Sequence, residues 1–232
     1  ISTIICPEGF AISRPAPRAA AKGSSIRYTR RAPASMAALI TLRSSTSVTP
    51  LGTLMTTRGL GVNQEALVAV CKQAKVLPQE GPLPFTDDLL DKWNEIAPEY
   101  MADAGPQIAE YPEVSVAWAA YLGMAFANVW HQDWTQGKKR PYNSFYGPRA
   151  FDDMDEYILF EELGIQKGSE PHQFIESLIL KLSSLAVTLI RREQVEPQSI
   201  MAFHVFARTT KVMFLIGAAI RLAQLGYTME HC

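Results

Sequence analysis

The stretch that decides the fold is VSVAWAAYLGMAFANVW, residues 114–130, which carries no charged side chain over 17 positions. Glu113 precedes it and His131-Gln132-Asp133 follows it. A helix that spans a bilayer needs about 20 predominantly apolar residues, whereas this run is shorter and is diluted by Ala, Gly, Ser and Asn. We therefore expect a helix at the centre of a soluble bundle and no contact with a membrane.

Small residues recur along this helix at every fourth position, as Ala119, Gly123 and Ala127. Residues four apart lie on one face of a helix, so the three positions form a smooth strip. A second helix can approach such a strip closely, in membranes and in soluble bundles alike. We expect close helix packing on this face.

Helical spacing continues through the rest of the chain after residue 60. Apolar residues stepping by three and four, the pattern of helix-on-helix packing, follow the potential N-cap Ser169. They are Ile175, Leu178, Leu182, Leu185 and Leu189. No strand pattern longer than a few residues and no hairpin signal is present. The sequence predicts an all-α fold, a compact bundle of five or six helices forming one domain over residues 61–232.

Start and stop signals set the expected limits of the helices. Thr86 is placed to cap a helix that Pro98 should kink or end. Residues 149–163 read as one helix, which ends at a glycine stop, Leu163-Gly164-Ile165. The last helix ends at a second stop of the same kind, Leu225-Gly226-Tyr227.

Residues 1–60 differ in composition from the remainder. They hold eight Lys or Arg and one acid, a net charge of +7, whereas the remainder carries −8. Because the segment lacks a sustained apolar period, we expect a disordered tail. Its Arg- and Ser-rich composition resembles an organelle-targeting segment. Alternatively it is a mis-called start, with Met36 or Met55 as the true first residue.

The overall composition excludes several classes of protein. A hydrophobic fraction of 47% excludes a wholly disordered chain, and a net charge of −1 argues against wrapping of a polyanion. Cys6, Cys71 and Cys232 are too few and too scattered for a disulfide scaffold or a zinc site, which favours a reducing compartment. Phosphate-binding glycine loops and nucleophile motifs are absent from the sequence.

The candidate site lies around the loop that follows the central helix, where acidic, basic and aromatic residues concentrate. The candidate pocket comprises Trp130, His131, Asp133, Trp134, Tyr142, Tyr146, Asp152, Asp153 and Glu156. One hypothesis is a metal-dependent hydrolase, in which His131 and Asp133 hold a divalent ion together with carboxylates from the next helix. The alternative is that these acids only favour the positive end of that helix. No metal site is assigned to particular residues, and whether a metal or a cofactor binds stays open.

Basic residues give a second hypothesis, contact with an anion. The candidates are Arg140, Arg149, His204 and Arg208. A small anionic ligand fits them better than nucleic acid, because the body is acidic overall. His204, Arg208 and Lys211 also follow one side of the last helix, which indicates a solvated edge or, alternatively, a buried Arg208 paired with a carboxylate.

Acidic residues follow one face of an earlier helix, as Asp88, Asp91, Glu95 and Glu99. All-α pyrophosphohydrolases hold magnesium with such carboxylates, but their paired motifs are not both found here. We interpret the stripe as a solvated face.

Three stretches, Tyr111–Trp118, Phe151–Glu156 and Met201–Arg208, resemble a small all-α bacterial family without an assigned function. The resemblance extends over about residues 63–227. It implies no activity, but it implies that the tail is a mis-called start and that the protein is cytoplasmic. We expect a soluble helical ligand-binding or protein-interaction module that self-associates, with the metal-dependent hydrolase as the alternative.

Overall fold

The computed structural model describes residues 4–5, 10–13 and 64–231, with side chains over 64–229. These residues form six α-helices: α1 (Gln64–Gln73), α2 (Asp87–Ala104), α3 (Pro112–Gly137), α4 (Met154–Tyr157), α5 (Glu170–Arg192) and α6 (Ile200–Gln224). Short 3₁₀ segments lie at Pro106–Ala109, Tyr142–Phe145 and Phe151–Asp153, and a π-helical turn at Ile158–Glu162. The predicted all-α bundle is confirmed for the described part of the chain.

The core is organised around the crossing of α3 with α6, which make the most extensive contact between two described elements. Residues further along α3 contact residues further along α6. Ala120 lies against Gly217, and Asn128, later in α3, is hydrogen-bonded to Arg221, later in α6. The two helices therefore run parallel, although more than 60 residues separate them in sequence.

Two glycines make the crossing close. A Cβ on Gly123 would overlap the carbonyl oxygen of Phe214 and lie 2.8 Å from its carbonyl carbon. A Cβ on Gly217 would overlap the carbonyl oxygen of Ala120 in the same way. The close packing expected on the small-residue strip is thus present, and each backbone occupies the space that a side chain on the other helix would need.

Helix α2 packs antiparallel to α3. Trp130 Nε1 donates to Asp88 Oδ2 at 2.9 Å near one end of the pair, and Tyr100 Oη donates to the Ser115 carbonyl at 2.6 Å near the other. Helix α5 also packs on α3, and its predicted apolar residues Ile175, Leu178 and Leu182 are buried in the core. Ser177, Lys181, Ser184 and Thr188 occupy its exposed side, as their spacing predicts.

Both glycine stops are present. Gly164 and Gly226 have φ values of +65° and +84°, which favour glycine because it lacks a Cβ. After Gly226, the Tyr227 N–H donates to the Leu222 carbonyl at 2.9 Å, so the chain leaves α6 by a Schellman-type turn. Ser169 accepts from the His172 N–H at 3.3 Å and caps α5 as expected. Thr86 occupies the position before α2, but the predicted side-chain cap is wrong, because its side chain makes no capping hydrogen bond.

Two predicted helix limits are wrong. The helix expected over residues 149–163 is replaced by a 3₁₀ turn, the single-turn α4 and the π-helical turn, because Ala150 has a positive φ of 59° and Asp153 is held back against Arg149. At Pro98 the expected alternative of a helix end is the wrong one, because α2 continues to Ala104. Burial of Tyr100, Met101 and Ala104 beyond the proline stabilises this last turn.

A small antiparallel sheet was not foreseen. Strands β1 (Ile4–Ile5), β2 (Phe10–Ser13) and β3 (Thr228–His231) pair in this order, with Phe10 opposite His231. Strands of two to four residues are too short for alternation to reveal. Apart from β1 and β2, the predicted tail of residues 1–60 lies outside the described residues, and the boundary at residue 60 stays a prediction.

Candidate functional site

The two candidate arginines that follow α3 form ion pairs with carboxylates of the same chain. Arg140 binds both carboxylate oxygens of Glu162, with Nη1 at 2.8 Å from Oε2, and its guanidinium carbon lies 4.1 Å from the ring centroid of Phe145. Arg149 binds Asp153 through its backbone N–H at 2.9 Å and through Nε at 2.6 Å. These two predicted anion contacts therefore already hold carboxylates of this chain, and they anchor the loop.

The predicted acidic cluster does not converge. Arg149 holds the pKa of Asp153 below its ordinary 3.8, so this carboxylate is a charged partner of the loop. Asp152 is exposed, and Glu156 is exposed and accepts from Lys167 Nζ at 3.1 Å. The neighbouring Asp155, which was not among the candidates, is partly buried, and this burial raises its pKa.

His131 and Asp133 diverge from one another at the end of α3. His131 Nδ1 lies 3.0 Å from Tyr227 Oη, so the imidazole faces the chain leaving α6. Asp133 has non-helical angles, φ −159° and ψ 97°, and accepts from the Gln136 N–H at 3.3 Å, which restarts the helix after a kink. Over residues 64–229 no three His, Cys, Asp or Glu side chains are grouped to hold a metal ion. The metal-dependent hydrolase thus has no geometric support there.

Two aromatic candidates, Tyr142 and Tyr146, pack against the last turns of α2 beside the start of α3. Tyr142 is 1% exposed, and its ring centroid lies 5.4 Å from that of Tyr146 and 6.1 Å from that of Tyr100. Tyr146 Oη donates to a carboxylate oxygen of Asp103. Burial raises the pKa of both Tyr142 and Tyr146. Tyr142 Oη is buried without a hydrogen-bond partner among the described residues.

The other aromatic candidates also have structural surroundings. Trp130 lies 5.5 Å, centroid to centroid, from Tyr227, and Trp134 is half-buried against the core. Trp130 and Trp134 pack near the end of α3, whereas Tyr142 and Tyr146 pack beside its start, so these four aromatic candidates do not lie together.

The solvent exposure of Cys71 and of the remaining charged candidates decides between their possible roles. Cys71 is buried, and burial raises its pKa to about 12, which makes the thiol unreactive at neutral pH. His204 and Arg208 are exposed on the first turns of α6, the arrangement of a solvated edge. Asp91 and Glu99 are also exposed, as a solvated face of α2 requires.

A polar network that sequence reasoning missed connects α3, α6 and the π-helical turn. Asn128, 3% exposed in the middle of α3, donates from Nδ2 to the Glu162 carbonyl at 2.9 Å. Its Oδ1 accepts from Arg221 Nη2 at 2.6 Å and Nε at 3.1 Å. Burial lowers the pKa of Arg221. The signal was a single arginine in an otherwise uncharged stretch, residues 212–229, opposite a run whose one amide is Asn128.

Large apolar side chains are exposed at the end of the bundle where α3 and α6 begin, opposite the end that holds Asn128 and Arg221. We call Tyr111, Val114, Ile200, Met201 and Phe203 the apolar end surface; their exposed fractions are 57%, 40%, 80%, 43% and 48%. The starts of α3 and α6 share this end, because Arg191 in the last turn of α5 lies 3.9 Å from Glu113 in the first turn of α3, and α6 begins eight residues after α5 ends.

Comparison of the chain with protein-family models, curated proteins and solved structures finds no match. The evidence on function is therefore the sequence and the geometry above.

The prediction that excluded contact with a membrane is wrong. Helices Glu170–Arg192 and Ile200–Gln224 are both long and apolar enough to cross a bilayer. The prediction rested on the uncharged central run, residues 114–130. A span tolerates a few charged residues within an apolar window, so whole helices and not uncharged runs had to be compared with the bilayer thickness.

Proposed function

We propose that this chain is a helical protein-interaction module that forms a homodimer through the apolar end surface. The observation that carries the proposal is the distribution of exposed apolar residues. Five of the seven large apolar side chains exposed within residues 64–229 form the apolar end surface, and three of these lie in the first turn of α6. Clustered apolar exposure of this kind marks interaction sites, whereas singly scattered residues do not.

The size of the surface is compatible with a dimer. At roughly 200 Å² for a fully exposed large side chain, the five exposed fractions correspond to roughly 500 Å² on one chain. A two-fold dimer buries the same patch on both partners, so its apolar part alone reaches about 1,000 Å², the lower limit for a specific interface.

The charges around the surface favour a second copy as the occupant. Acidic residues (Glu110, Glu113, Glu193, Glu196) and basic residues (Arg191, Arg192, Arg208) are mixed at this end. A two-fold interface brings a patch against itself, which requires both signs of charge in the same patch. An anionic lipid surface instead favours an excess of basic residues.

Binding of a larger small molecule in an enclosed pocket has less support. The depression on α5 that Glu170, Pro171, Gln173, Phe174 and Ser177 line is shallow and open to solvent. A typical small-molecule site is concave and covers most of its ligand.

The resemblance to a family of small bacterial proteins supports a cytoplasmic place of action for the module, which subcellular fractionation of the native host would test.

The test is the oligomeric state of the full chain by sedimentation velocity over a range of concentrations. We expect a reversible dimer. Burial of an isoleucine contributes about 1.5–3 kcal/mol, so Ile200→Ser should weaken the dimer about tenfold or more, and Phe203→Ser should act in the same direction. Leu180→Ser is the matched control, because Leu180 is 60% exposed on α5 but lies outside the surface.

Two results would contradict the proposal. One is a monomer at all concentrations. The other is a chain that sediments with lipid vesicles and is released by Ile200→Ser, which would assign the apolar end surface to a membrane.

A further inference from the structure

Arg221 is a half-buried cation whose hydrogen bonds go to neutral groups. Nε and Nη2 donate to Asn128 Oδ1, and Nη1 lies 3.4 Å from Gln224 Oε1. Within residues 64–229 no carboxylate oxygen lies within 4.0 Å of its guanidinium, since none of the ion pairs of this part of the chain includes it.

The neighbouring Arg140 shows the ordinary arrangement. It is also partly buried, with a side chain 26% exposed, but both oxygens of Glu162 neutralise it. Asn128 bonds to the backbone carbonyl of the same Glu162, so both arginines adjoin one residue that has a single carboxylate. That carboxylate is occupied by Arg140, so no carboxylate within residues 64–229 forms an ion pair with Arg221.

The end of α6 compensates this charge only in part. Arg221 lies in the last turn, where the helix dipole places a partial negative charge. The dipole favours a cation there but supplies no oxygen to the outer edge of the guanidinium. Of the five N–H groups of an arginine, three are used by Asn128 and Gln224, so two remain for an acceptor.

The guanidinium of Arg221, whose N–H donors form a planar fork, is held in a fixed position. Asn128 is 3% exposed, its Nδ2 donates to the Glu162 carbonyl, and its Oδ1 accepts from Arg221. Because the amide is fixed by the first hydrogen bond, it fixes the orientation of the guanidinium through the second. A guanidinium oriented in advance loses less side-chain entropy when it binds a carboxylate or a phosphate through two parallel hydrogen bonds.

We propose that Arg221, positioned by Asn128, is a binding site for a small oxyanion, with two oxygens of a carboxylate or phosphate group bound at the outer edge of the guanidinium. Arg221 is partly exposed, so such a ligand reaches it from solvent. His131 lies one turn after Asn128 on the same face of α3 and is also partly exposed, which places an imidazole beside the site. The site is at the end of the bundle opposite the apolar end surface and is independent of the proposed dimer.

The test follows the arginine Nε–H signals of the full-length protein by ¹⁵N NMR during titration with inorganic phosphate, and separately with succinate. Chloride keeps the ionic strength constant. The Arg221 signal is assigned by its loss in Arg221→Lys. We expect a saturable shift of this signal in the wild type. In Arg221→Lys, which keeps the charge but loses the fork, the side-chain amide signal of Asn128 reports the titration instead and should show binding about tenfold weaker.

Gln224→Glu is the decisive variant. Gln224 is exposed, so the substitution does not disturb the core, and it places a carboxylate beside Nη1 that occupies the fork from within. Gln136→Glu is the matched control, because it adds the same charge at an exposed position near the end of α3. We expect Gln224→Glu to abolish the phosphate shift and Gln136→Glu to leave it within about twofold of wild type.

The outcomes separate the alternatives. Saturation by phosphate alone assigns a phosphorylated ligand, saturation by succinate alone a carboxylate ligand, and saturation by both the shared oxyanion chemistry. Absence of saturation by either probe in the wild type overturns the proposal. Equal affinity of Gln224→Glu and Gln136→Glu overturns it as well, because the anion then binds elsewhere.

Discussion

Replacing Gly123 by alanine tests the packing of α3 against α6. In a solvated helix the change stabilises by about 1 kcal/mol, because glycine loses more backbone entropy on folding. At Gly123 the new Cβ would overlap the Phe214 carbonyl oxygen and lie 2.8 Å from its carbon and 2.9 Å from the Ala218 nitrogen. Ordinary carbon contacts begin near 3.5 Å, so α3 and α6 must separate by roughly 1 Å.

The size of the effect follows from these opposing contributions. Overpacking costs about 1–3 kcal/mol, and the upper end applies here because the obstacle is helical backbone, which cannot turn aside as a side chain can. After the gain in helix propensity, Gly123→Ala should destabilise the fold by about 2 kcal/mol. With an m-value of about 2 kcal/mol/M in urea, the unfolding midpoint falls by about 1 M.

Urea unfolding followed by far-ultraviolet circular dichroism measures this midpoint. Ser184→Ala, on the exposed side of α5, is the control for propensity and should raise it slightly. Gly217→Ala should cost about as much as Gly123→Ala, and the double variant less than the sum, because one separation accommodates both methyl groups. A midpoint for Gly123→Ala at or above that of the wild type would refute the close crossing.

Three further predictions concern single polar groups. Asp153 has a lowered pKa because Arg149 binds it, so its contribution to stability is complete above the ordinary pKa of 3.8 and is lost as the pH falls through the lower value; in urea unfolding Asp153→Asn should therefore destabilise at pH 7 and lose most of that effect in acid. Asp155 has the opposite shift, caused first by burial, so wild-type stability falls as the pH rises from 3.8 through the raised pKa, and Asp155→Asn should unfold at a higher urea concentration at pH 7 but not at pH 3. Tyr142→Phe removes a buried hydroxyl without a partner, and calorimetry should show a change within about 0.5 kcal/mol or a gain in stability, whereas a loss above about 1.5 kcal/mol would mean that the hydroxyl is bonded.

Local patterns predicted the elements that depend on neighbouring residues. The steps of three and four in α5, the Ser169 cap and the two glycine stops depend on contacts within one or two turns, so the sequence near Ser169, Gly164 and Gly226 contains the required information. The strip around Gly123 also indicated a close neighbour. It could not indicate that Gly217 is on that neighbour, because the partner of a small residue is fixed by tertiary packing alone.

The errors have the same origin. Residues 149–163 have helical spacing, but the pairing of Arg149 with Asp153 and the positive φ of Ala150 convert the first turn into a 3₁₀ segment. The predicted site was chosen for unusual composition, and there the acids and bases neutralise one another. Arg221 lacked such a partner in the described chain, but periodicity shows only that it lies on an apolar helix, and not that Asn128 faces it.

The parallel pairing of α3 with α6 affects how the chain is made. Helix α3 leaves the ribosome with its apolar faces complete, but its main partner ends 87 residues later, at Gln224. At about 5–20 residues per second, the nascent chain waits roughly 4–17 seconds with those faces open to water. During that interval α3 is a natural substrate for chaperones, and synonymous codons that slow elongation between residues 138 and 199 should increase aggregation without changing the finished protein.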